Sequence, residues 1–322
     1  MSGVNINVEL LREFERRLDP EAPEKCPIPV KILGYGEIST VFELEFAPGL
    51  ALKRMPIFAN EAELQQYEEI YRRYNEILIN EVGIKVPPYA SVHFTDDEGR
   101  IIYFLVQKKL PYEVIGNRIV QALPAEAANS LVLAVLREIK KVVEFNRKNA
   151  GRLEVAIDGQ ISNWAFLGFN PDEPGNLKNV ELMYIDTSTP FVRVNGVEQL
   201  NPELFLRSAP SFLVWLIRWL FLNDVMNRYY NFRLVTVDII ANFFKEQRPD
   251  LIQGLIVTAN NFFKNELPEL HIKPLTDREV KSYYREDAWI WRLYLSFRKA
   301  DRFLHGLMRK KYLYILPVKI KR

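Results

Sequence analysis

Two aspartates and one asparagine in the middle of the chain have residue types and spacing suited to metal-assisted group transfer. Asp158 and Asn163 form the pattern D-x-x-x-x-N before an apolar run, and Asp186 ends a later apolar run. A carboxylate can accept a hydroxyl proton, whereas an amide oxygen and a second carboxylate can bind Mg²⁺, because hard cations prefer oxygen ligands. Taken singly, each aspartate also fits an ordinary turn or strand end.

A glycine-containing turn nearer the N-terminus could approach a phosphate. Gly34 and Gly36 are separated by one residue, and backbone N–H groups in such a turn can point at an anion. The next apolar run holds Lys53, whose neighbours would bury its stem while its ammonium group reaches solvent or phosphate. The charged helix that follows offers Glu68 or Glu69 as a partner for Lys53. Plain hairpins also use Gly-x-Gly turns, and the strand that follows excludes a dinucleotide-binding fingerprint.

The elements that must position these residues are a small antiparallel sheet and a larger helical region. Apolar runs between turn residues predict strands within 30–46, 50–55 and 89–110. Asn60 is the expected N-cap of the single helix between the last two of these ranges. From Pro124 onwards the pattern predicts a long helix, then short apolar runs, and then mostly helix. The sequence therefore predicts an α+β fold.

Composition and length favour a globular chain of two lobes. The 322 residues are 48% hydrophobic and 26% charged, which excludes disordered, collagen-like and coiled-coil proteins. We expect an N-terminal helix with a Pro-rich linker at 1–29, a sheet-bearing lobe at 30–110 and a helical lobe at 111–322.

The sequence has few cysteines and histidines and no long apolar segment, which argues against disulfides, histidine metal sites and membrane insertion. The single cysteine, Cys26, cannot form an internal disulfide, and three histidines far apart in sequence argue against a multi-histidine metal site.

The first 18 residues have no apolar signal-peptide core, and the most apolar run, 211–222, is too short to span a bilayer and contains Arg218. We therefore expect a cytoplasmic protein with no transmembrane segment.

The order of these features resembles the protein-kinase-like superfamily, a two-lobed α+β fold that binds ATP and Mg²⁺ between its lobes. That resemblance assigns Asp158 and Lys53 to catalysis, and Asn163 and Asp186 to the metal. The residues that it assigns to ATP binding are Gly34, Gly36, Ser39, Val41, Ala51, Lys53, Glu68, Glu69, Gln107 and Lys108.

The chain departs from typical protein kinases at several of these motifs. Ser39 stands where the third glycine is expected, Ala156 replaces the catalytic-loop histidine, and Gln160 replaces a lysine. Thr187 and Ser188, rather than Phe-Gly, follow the second aspartate. The resemblance is closer to small-molecule phosphotransferases of the aminoglycoside and choline type. It implies transfer of the γ-phosphoryl group of ATP to a hydroxyl, on a small molecule rather than a protein, although a protein substrate also fits.

Other functions remain open from the sequence. A kinase-like chain can be a non-catalytic pseudokinase that acts as a binding or scaffold module, and some kinase-like proteins transfer AMP. Residues 272–322 hold 14 lysines and arginines against 5 acidic residues, with interleaved aromatics, so this region could contact nucleic acid or an anionic surface. The spacing of Trp291, Tyr294 and Phe297 equally predicts a helix with its aromatic side chains packed inward.

Overall fold

The computed structural model describes residues 4–36, 38–207, 226–308 and 310–317. The apolar run at 211–222 lies outside the described residues. Within the described ranges, no helix has both the length and the apolar character needed to cross a membrane.

The N-terminal part is a five-stranded sheet with one helix on each side of it. Its elements are helix α1 (Val8–Arg17), strands β1 (Val30–Tyr35), β2 (Thr40–Leu44) and β3 (Leu50–Met55), helix α2 (Glu61–Glu76), and strands β4 (Tyr89–Thr95) and β5 (Ile101–Lys108). The strand order is β1-β2-β3-β5-β4, and every neighbouring pair is antiparallel. The predicted antiparallel sheet with one inserted helix is confirmed.

The two faces of this sheet have different neighbours, because side chains alternate along each strand. Val41 lies opposite Lys53, and Lys53 lies opposite Leu105, so these three share the face that α2 covers. The other face packs on α1 and holds a second apolar cluster that includes Leu11, Phe14, Phe42, Leu52 and Phe104. Lys53 is therefore kept apart from that cluster.

Helix α2 begins at the predicted N-cap. The Asn60 side chain accepts a hydrogen bond from the Glu63 N–H at 3.0 Å, and the Glu63 carboxylate accepts from the Ala59 N–H at 3.1 Å. In a capping box the carboxylate at N3 accepts from the N–H of the N-cap residue. Here Glu63 accepts instead from Ala59, the residue before the N-cap. The inward face of the helix is mostly aromatic and consists of Leu64, Tyr67, Tyr71 and Tyr74, all buried.

The C-terminal part is mostly helical, as predicted, with short strands near its start. Its elements are α3 (Gly116–Ala122), α4 (Ala125–Asn149), β6 (Leu153–Val155), β7 (Trp164–Leu167), β8 (Glu181–Tyr184), β9 (Val192–Val194), β10 (Val197–Glu198), α5 (Glu203–Leu206), α6 (Phe232–Lys245), α7 (Ile252–Glu266) and α8 (Asp277–Leu307). Strands β7 and β8 form an antiparallel hairpin, and β6, β9 and β10 form a three-stranded sheet.

The long helix α4 organises the C-terminal core. Its apolar stripe, Leu131, Val135, Ile139 and Val142, is buried against α6 and α7. Helix α8 is less enclosed than its aromatic spacing predicts. Trp291, Tyr294 and Phe297 are only half-buried, and Trp289 and Phe303 are exposed.

Candidate functional site

The β7–β8 hairpin brings the two candidate metal ligands to the same place. Trp164 lies opposite Tyr184, and one step further along the Ile185 N–H donates to the Asn163 backbone carbonyl at 2.9 Å. Because the strands are antiparallel, Asn163 enters the hairpin where Asp186 leaves it.

The Asp158 backbone is hydrogen-bonded to Asn163 and to Tyr184, two residues before Asp186. The Asn163 side-chain amide donates to the Asp158 carbonyl at 3.3 Å, and the Asp158 N–H donates to the Tyr184 hydroxyl at 3.2 Å. The Asp158 carboxylate accepts from the Gln160 N–H at 3.1 Å. The structure therefore gathers Asp158, Asn163 and Asp186 at one end of the hairpin.

Gly159 lets this loop lie directly on the helical core. A Cβ at this position would stand 2.8 Å from Val235 Cγ1 on α6 and 3.0 Å from Ile139 Cδ1 on α4. Carbon atoms in ordinary contact are at least about 3.5 Å apart, so only glycine permits this approach without displacing a neighbour.

Lys53 reaches the same site from the sheet. Its Nζ donates to Asp186 Oδ1 at 2.8 Å and also to the Ser188 hydroxyl. The Ser188 hydroxyl donates in turn to Asp186 Oδ1 at 2.7 Å. Lys53, Ser188 and Asp186 thus form a connected group between the sheet and the hairpin.

The expected pairing of Lys53 with Glu68 or Glu69 is not what the structure has. The Glu68 carboxylate accepts from the Ser91 hydroxyl at 2.9 Å and lies 3.6 Å from His93 Nδ1, on strand β4. Glu69 is exposed. The reason is the rotation of α2, whose tyrosines, rather than its glutamates, are turned inward.

Four of the residues expected to contact ATP share one face of the sheet. Val41 lies opposite Lys53, Ala51 lies opposite Gln107, and Ala51 and Lys53 are two positions apart on β3. Lys108, the next residue along β5, is exposed and belongs to the other face. Its backbone N–H donates to the Pro88 carbonyl at 3.0 Å.

The β1–β2 turn uses its two glycines differently. The Gly36 N–H donates to the Ser39 carbonyl at 2.9 Å, and a Cβ at Gly36 would lie 2.5 Å from Ser39 Oγ. A Cβ at Gly34, in contrast, would have nothing within 4 Å. A side chain at Gly36 would therefore require the Ser39 hydroxyl to move, whereas Gly34 borders open space. Ser39 is buried and lines a small cleft beside Arg54.

The two aspartates of the site have opposite electrostatic surroundings. Burial and the nearby carboxylate of Asp238 raise the pKa of Asp158 well above its ordinary value. Burial also opposes ionisation of Asp186, but Lys53 and Ser188 outweigh it and lower the pKa of that carboxyl. Environments that push two carboxyl pKa values apart separate a proton-accepting role from a permanently charged one.

Sequence reasoning missed several polar residues around Asp158. Asp238 of α6 is buried, and the Asn242 side chain donates to its backbone carbonyl at 3.2 Å. Lys245, also on α6, donates to the Gln160 side chain at 3.4 Å. The available signal was a charged and an amide residue, four positions apart, inside an otherwise apolar helical segment.

The donor set suits a magnesium ion that arrives with phosphate groups. Among the described residues, no group of three or more histidine, cysteine or acidic side chains could hold a metal ion. Asn163 and Asp186 offer two side-chain oxygens as candidate ligands, and Mg²⁺ is commonly bound by one or two carboxylates together with phosphates and waters. Lys53 adds a positive charge beside them.

Comparison with known proteins gives one family and a set of distantly similar structures. No curated protein sequence matches the chain. Two solved structures similar to it are GDP complexes of aminoglycoside 2'-phosphotransferase-IIIa, wild type and mutant, at 14% and 13% identity. Each match covers 74% of this chain, and 95% and 94% of the other chain, with a TM-score of 0.34. A family model matches residues 20–302, so the chain belongs to the family described as "Family of unknown function (DUF6206)".

Proposed function

We propose that this protein is a kinase-like, ATP- and Mg²⁺-dependent phosphotransferase that acts on a hydroxyl group of a small molecule. The observation that carries the proposal is the meeting of Lys53, Asp158, Asn163 and Asp186 at one site, although they come from separate segments of the chain. A lysine, two carboxylates and an amide oxygen are the groups that phosphoryl transfer requires.

Each residue has a distinct task in this proposal. Asn163 and Asp186 would hold Mg²⁺, which when bound neutralises charge on the phosphates. Lys53 would bind the phosphate oxygens, and Asp158 would orient the acceptor hydroxyl and take its proton. The acceptor oxygen then bonds to the γ-phosphorus while the bond to the β–γ bridging oxygen breaks, and ADP leaves. Catalysis consists mostly of positioning and charge neutralisation.

The sheet face described above supplies a place for the rest of the nucleotide. Val41, Ala51 and Gln107 lie on the same face as Lys53, so an adenine ring against them would leave its phosphates directed at Lys53. The open space beside Gly34 is where phosphates could pass under the β1–β2 turn.

A small-molecule acceptor is favoured by the departures from protein kinases. Gln160 stands in place of the lysine that many protein kinases carry. The Ala-Pro-Glu tripeptide of this sequence, at 22–24, precedes the sheet, whereas the kinase motif follows the metal-binding aspartate. After Asp186 the sequence has only the partial counterpart at 208–211, which lies outside the described residues.

Calorimetric titration of the full chain with ATP, and with GTP beside it, tests the nucleotide site. We expect ATP to bind more tightly with Mg²⁺ than without it, and Asp186→Ala to abolish this dependence. Asp172→Ala, which removes an exposed loop carboxylate, is the matched control and should bind like the wild type. Absence of nucleotide binding under every condition would overturn the proposal and favour a scaffold role.

A further inference from the structure

Helix α2 places three tyrosine hydroxyls against the candidate site, two on its backbone carbonyls and one on a threonine side chain. They lie on the inward face of the helix, where the sequence led us to expect a glutamate. The three hydrogen bonds run from Tyr67 Oη to the Ser188 carbonyl (2.8 Å), from Thr187 Oγ1 to Tyr71 Oη (3.2 Å) and from Tyr74 Oη to the Ala156 carbonyl (2.7 Å). Uncharged groups of one helix therefore hold the segments that lead to Asp158 and follow Asp186.

Tyr67 is the most closely connected of the three to the charged group at the site. Its ring is buried and packs on Phe58 and Tyr103, with centroid distances of 5.1 and 5.6 Å. Burial raises the pKa of the Tyr67 hydroxyl well above its ordinary value, so the group remains a hydrogen-bond donor. Its acceptor, the Ser188 carbonyl, belongs to the residue that also contacts Lys53 and Asp186.

All of the donors described around Asp186 converge on one of its two oxygens. Oδ1 accepts from Lys53 Nζ at 2.8 Å, from the Ser188 hydroxyl at 2.7 Å and from the Ser188 N–H at 3.2 Å. The Asp186 side chain is 37% exposed. Since Oδ1 already accepts three hydrogen bonds, Oδ2 is the carboxylate oxygen that remains available to a ligand.

We propose that Tyr67 and Ser188 are positioning residues, which hold Asp186 with Oδ1 on Lys53 and Oδ2 presented to a divalent cation. The assignment of the cation rests on the proposed function, whereas the assignment of the hydrogen bonds does not. Tyr67 fixes the Ser188 backbone, and Ser188 fixes the Asp186 carboxylate. In this arrangement α2 positions Asp186 through the segment that follows Asp186, and not through an ion pair with Lys53.

The test compares Tyr67→Phe and Ser188→Ala with a matched control, Tyr103→Phe. Tyr103 belongs to the same aromatic cluster, and its buried hydroxyl faces Ser91 on β4 and not the segment that follows Asp186. Hydrogen exchange of a peptide spanning 184–192 is measured in the full chain without any ligand. The Mg²⁺ concentration that half-saturates ATP binding is measured separately by calorimetry.

We expect Tyr67→Phe and Ser188→Ala to speed exchange in this peptide and to raise the required Mg²⁺ concentration, each by about fivefold, as loss of one hydrogen bond predicts. Tyr103→Phe should change neither quantity. Unchanged exchange in Tyr67→Phe would overturn the positioning role. Faster exchange with an unchanged Mg²⁺ requirement would reduce Tyr67 to a structural residue and also overturn it. A wild type that binds no nucleotide would instead refute the proposed function, and the exchange measurement would still decide whether Tyr67 holds the segment.

Discussion

Individual carboxylates at the site differ because their neighbours differ. The Asp186 carboxylate accepts hydrogen bonds from Lys53 and Ser188, and these interactions offset the cost of burying its charge. Asp158 accepts from one backbone N–H and faces a second acidic side chain, Asp238, so its charged form is disfavoured. A carboxyl with a raised pKa is the better proton acceptor, and one with a lowered pKa is the better metal ligand. The geometry thus gives the two carboxyl groups different proton affinities, as the proposed function requires.

Substitution of Asp158 by Asn tests this division. The amide keeps the size of the side chain but cannot take a proton, so nucleotide binding should persist while turnover falls by about 10²–10⁴-fold. Steady-state kinetics and ATP calorimetry on the same preparation measure both quantities. Asp172→Asn, on an exposed loop, should match the wild type in both. Turnover unchanged in Asp158→Asn would refute the role of this residue.

Buried Asp238 should make the stability of the protein depend on pH. Burial and the nearby Asp287 carboxylate raise its pKa in the folded state, whereas Tyr283, Lys245 and Gln160 act in the opposite direction. The folded protein therefore holds the proton more readily than the unfolded chain, and folding is penalised as pH rises through the folded-state pKa.

Asp238→Asn removes that charge, so the variant should be more stable than the wild type at pH 8, by about 3 kcal/mol, because the surroundings raise the pKa of Asp238 to about 6 and each pKa unit is worth about 1.4 kcal/mol. The advantage should shrink toward zero as the pH falls below about 4, where the unfolded carboxyl also becomes protonated. Urea denaturation at several pH values measures it. A difference that stays constant across this range would show that ionisation of Asp238 is not its source.

At the scale of elements, the sequence predicts which segments exist but not how each is rotated. The strands, the Asn60 cap and the stripe of α4 follow from local patterns, and the structure has them. The partner of Lys53 cannot be predicted from a local pattern, because it depends on which side of α2 faces the sheet. Burial of Tyr67 and Tyr71 decides that rotation and carries Glu68 away to β4. Burying aromatic area outweighs an ion pair whose charges must lose their water.

Contact between the Asp158 loop and helices α4 and α6 can be tested at Gly159. In Gly159→Ala the new methyl group would meet side chains of both helices, so we expect a loss of about 1–3 kcal/mol of stability and reduced turnover. Gly34→Ala is the informative contrast, since a Cβ there meets nothing within 4 Å. It should leave the thermal midpoint unchanged while weakening ATP binding, if phosphates pass beside it. Thermal unfolding and calorimetry distinguish the two effects, and an unaltered Gly159→Ala midpoint would contradict the close packing.

At the scale of the whole molecule, distant segments of the chain meet at one buried arginine. Arg54 follows Lys53 on β3 but faces the opposite side of the sheet, where its guanidinium binds both carboxylate oxygens of Glu15 in α1, at 2.7 and 2.6 Å. It also donates to the Leu313 carbonyl at 2.7 Å, in the segment that follows α8. Arg298 of α8 lies over the rings of Tyr294 and Tyr314 nearby. The strand that carries Lys53 is thus joined to both flanking segments.

Arg54 and Glu15 are 2% and 5% exposed, so removing one partner would leave the other charge buried and unpaired. We expect Glu15→Gln to lower the free energy of unfolding by about 3–5 kcal/mol, and Arg54→Met to lower it similarly. Because an apolar pair of similar size is tolerated better than a single buried charge, the double variant Glu15→Leu with Arg54→Met should lose less than the sum of the single changes. Urea unfolding of the wild type, both single variants and the double variant gives the double-mutant cycle for this pair.

Since α1 and the segment after α8 are attached to the same side chain, the Arg54 variant should also expose 310–317 to limited proteolysis, whereas Glu15→Gln should not. Strictly additive losses would contradict the pairing of the two charges, and unchanged proteolysis of 310–317 in the Arg54 variant would contradict its link to that segment.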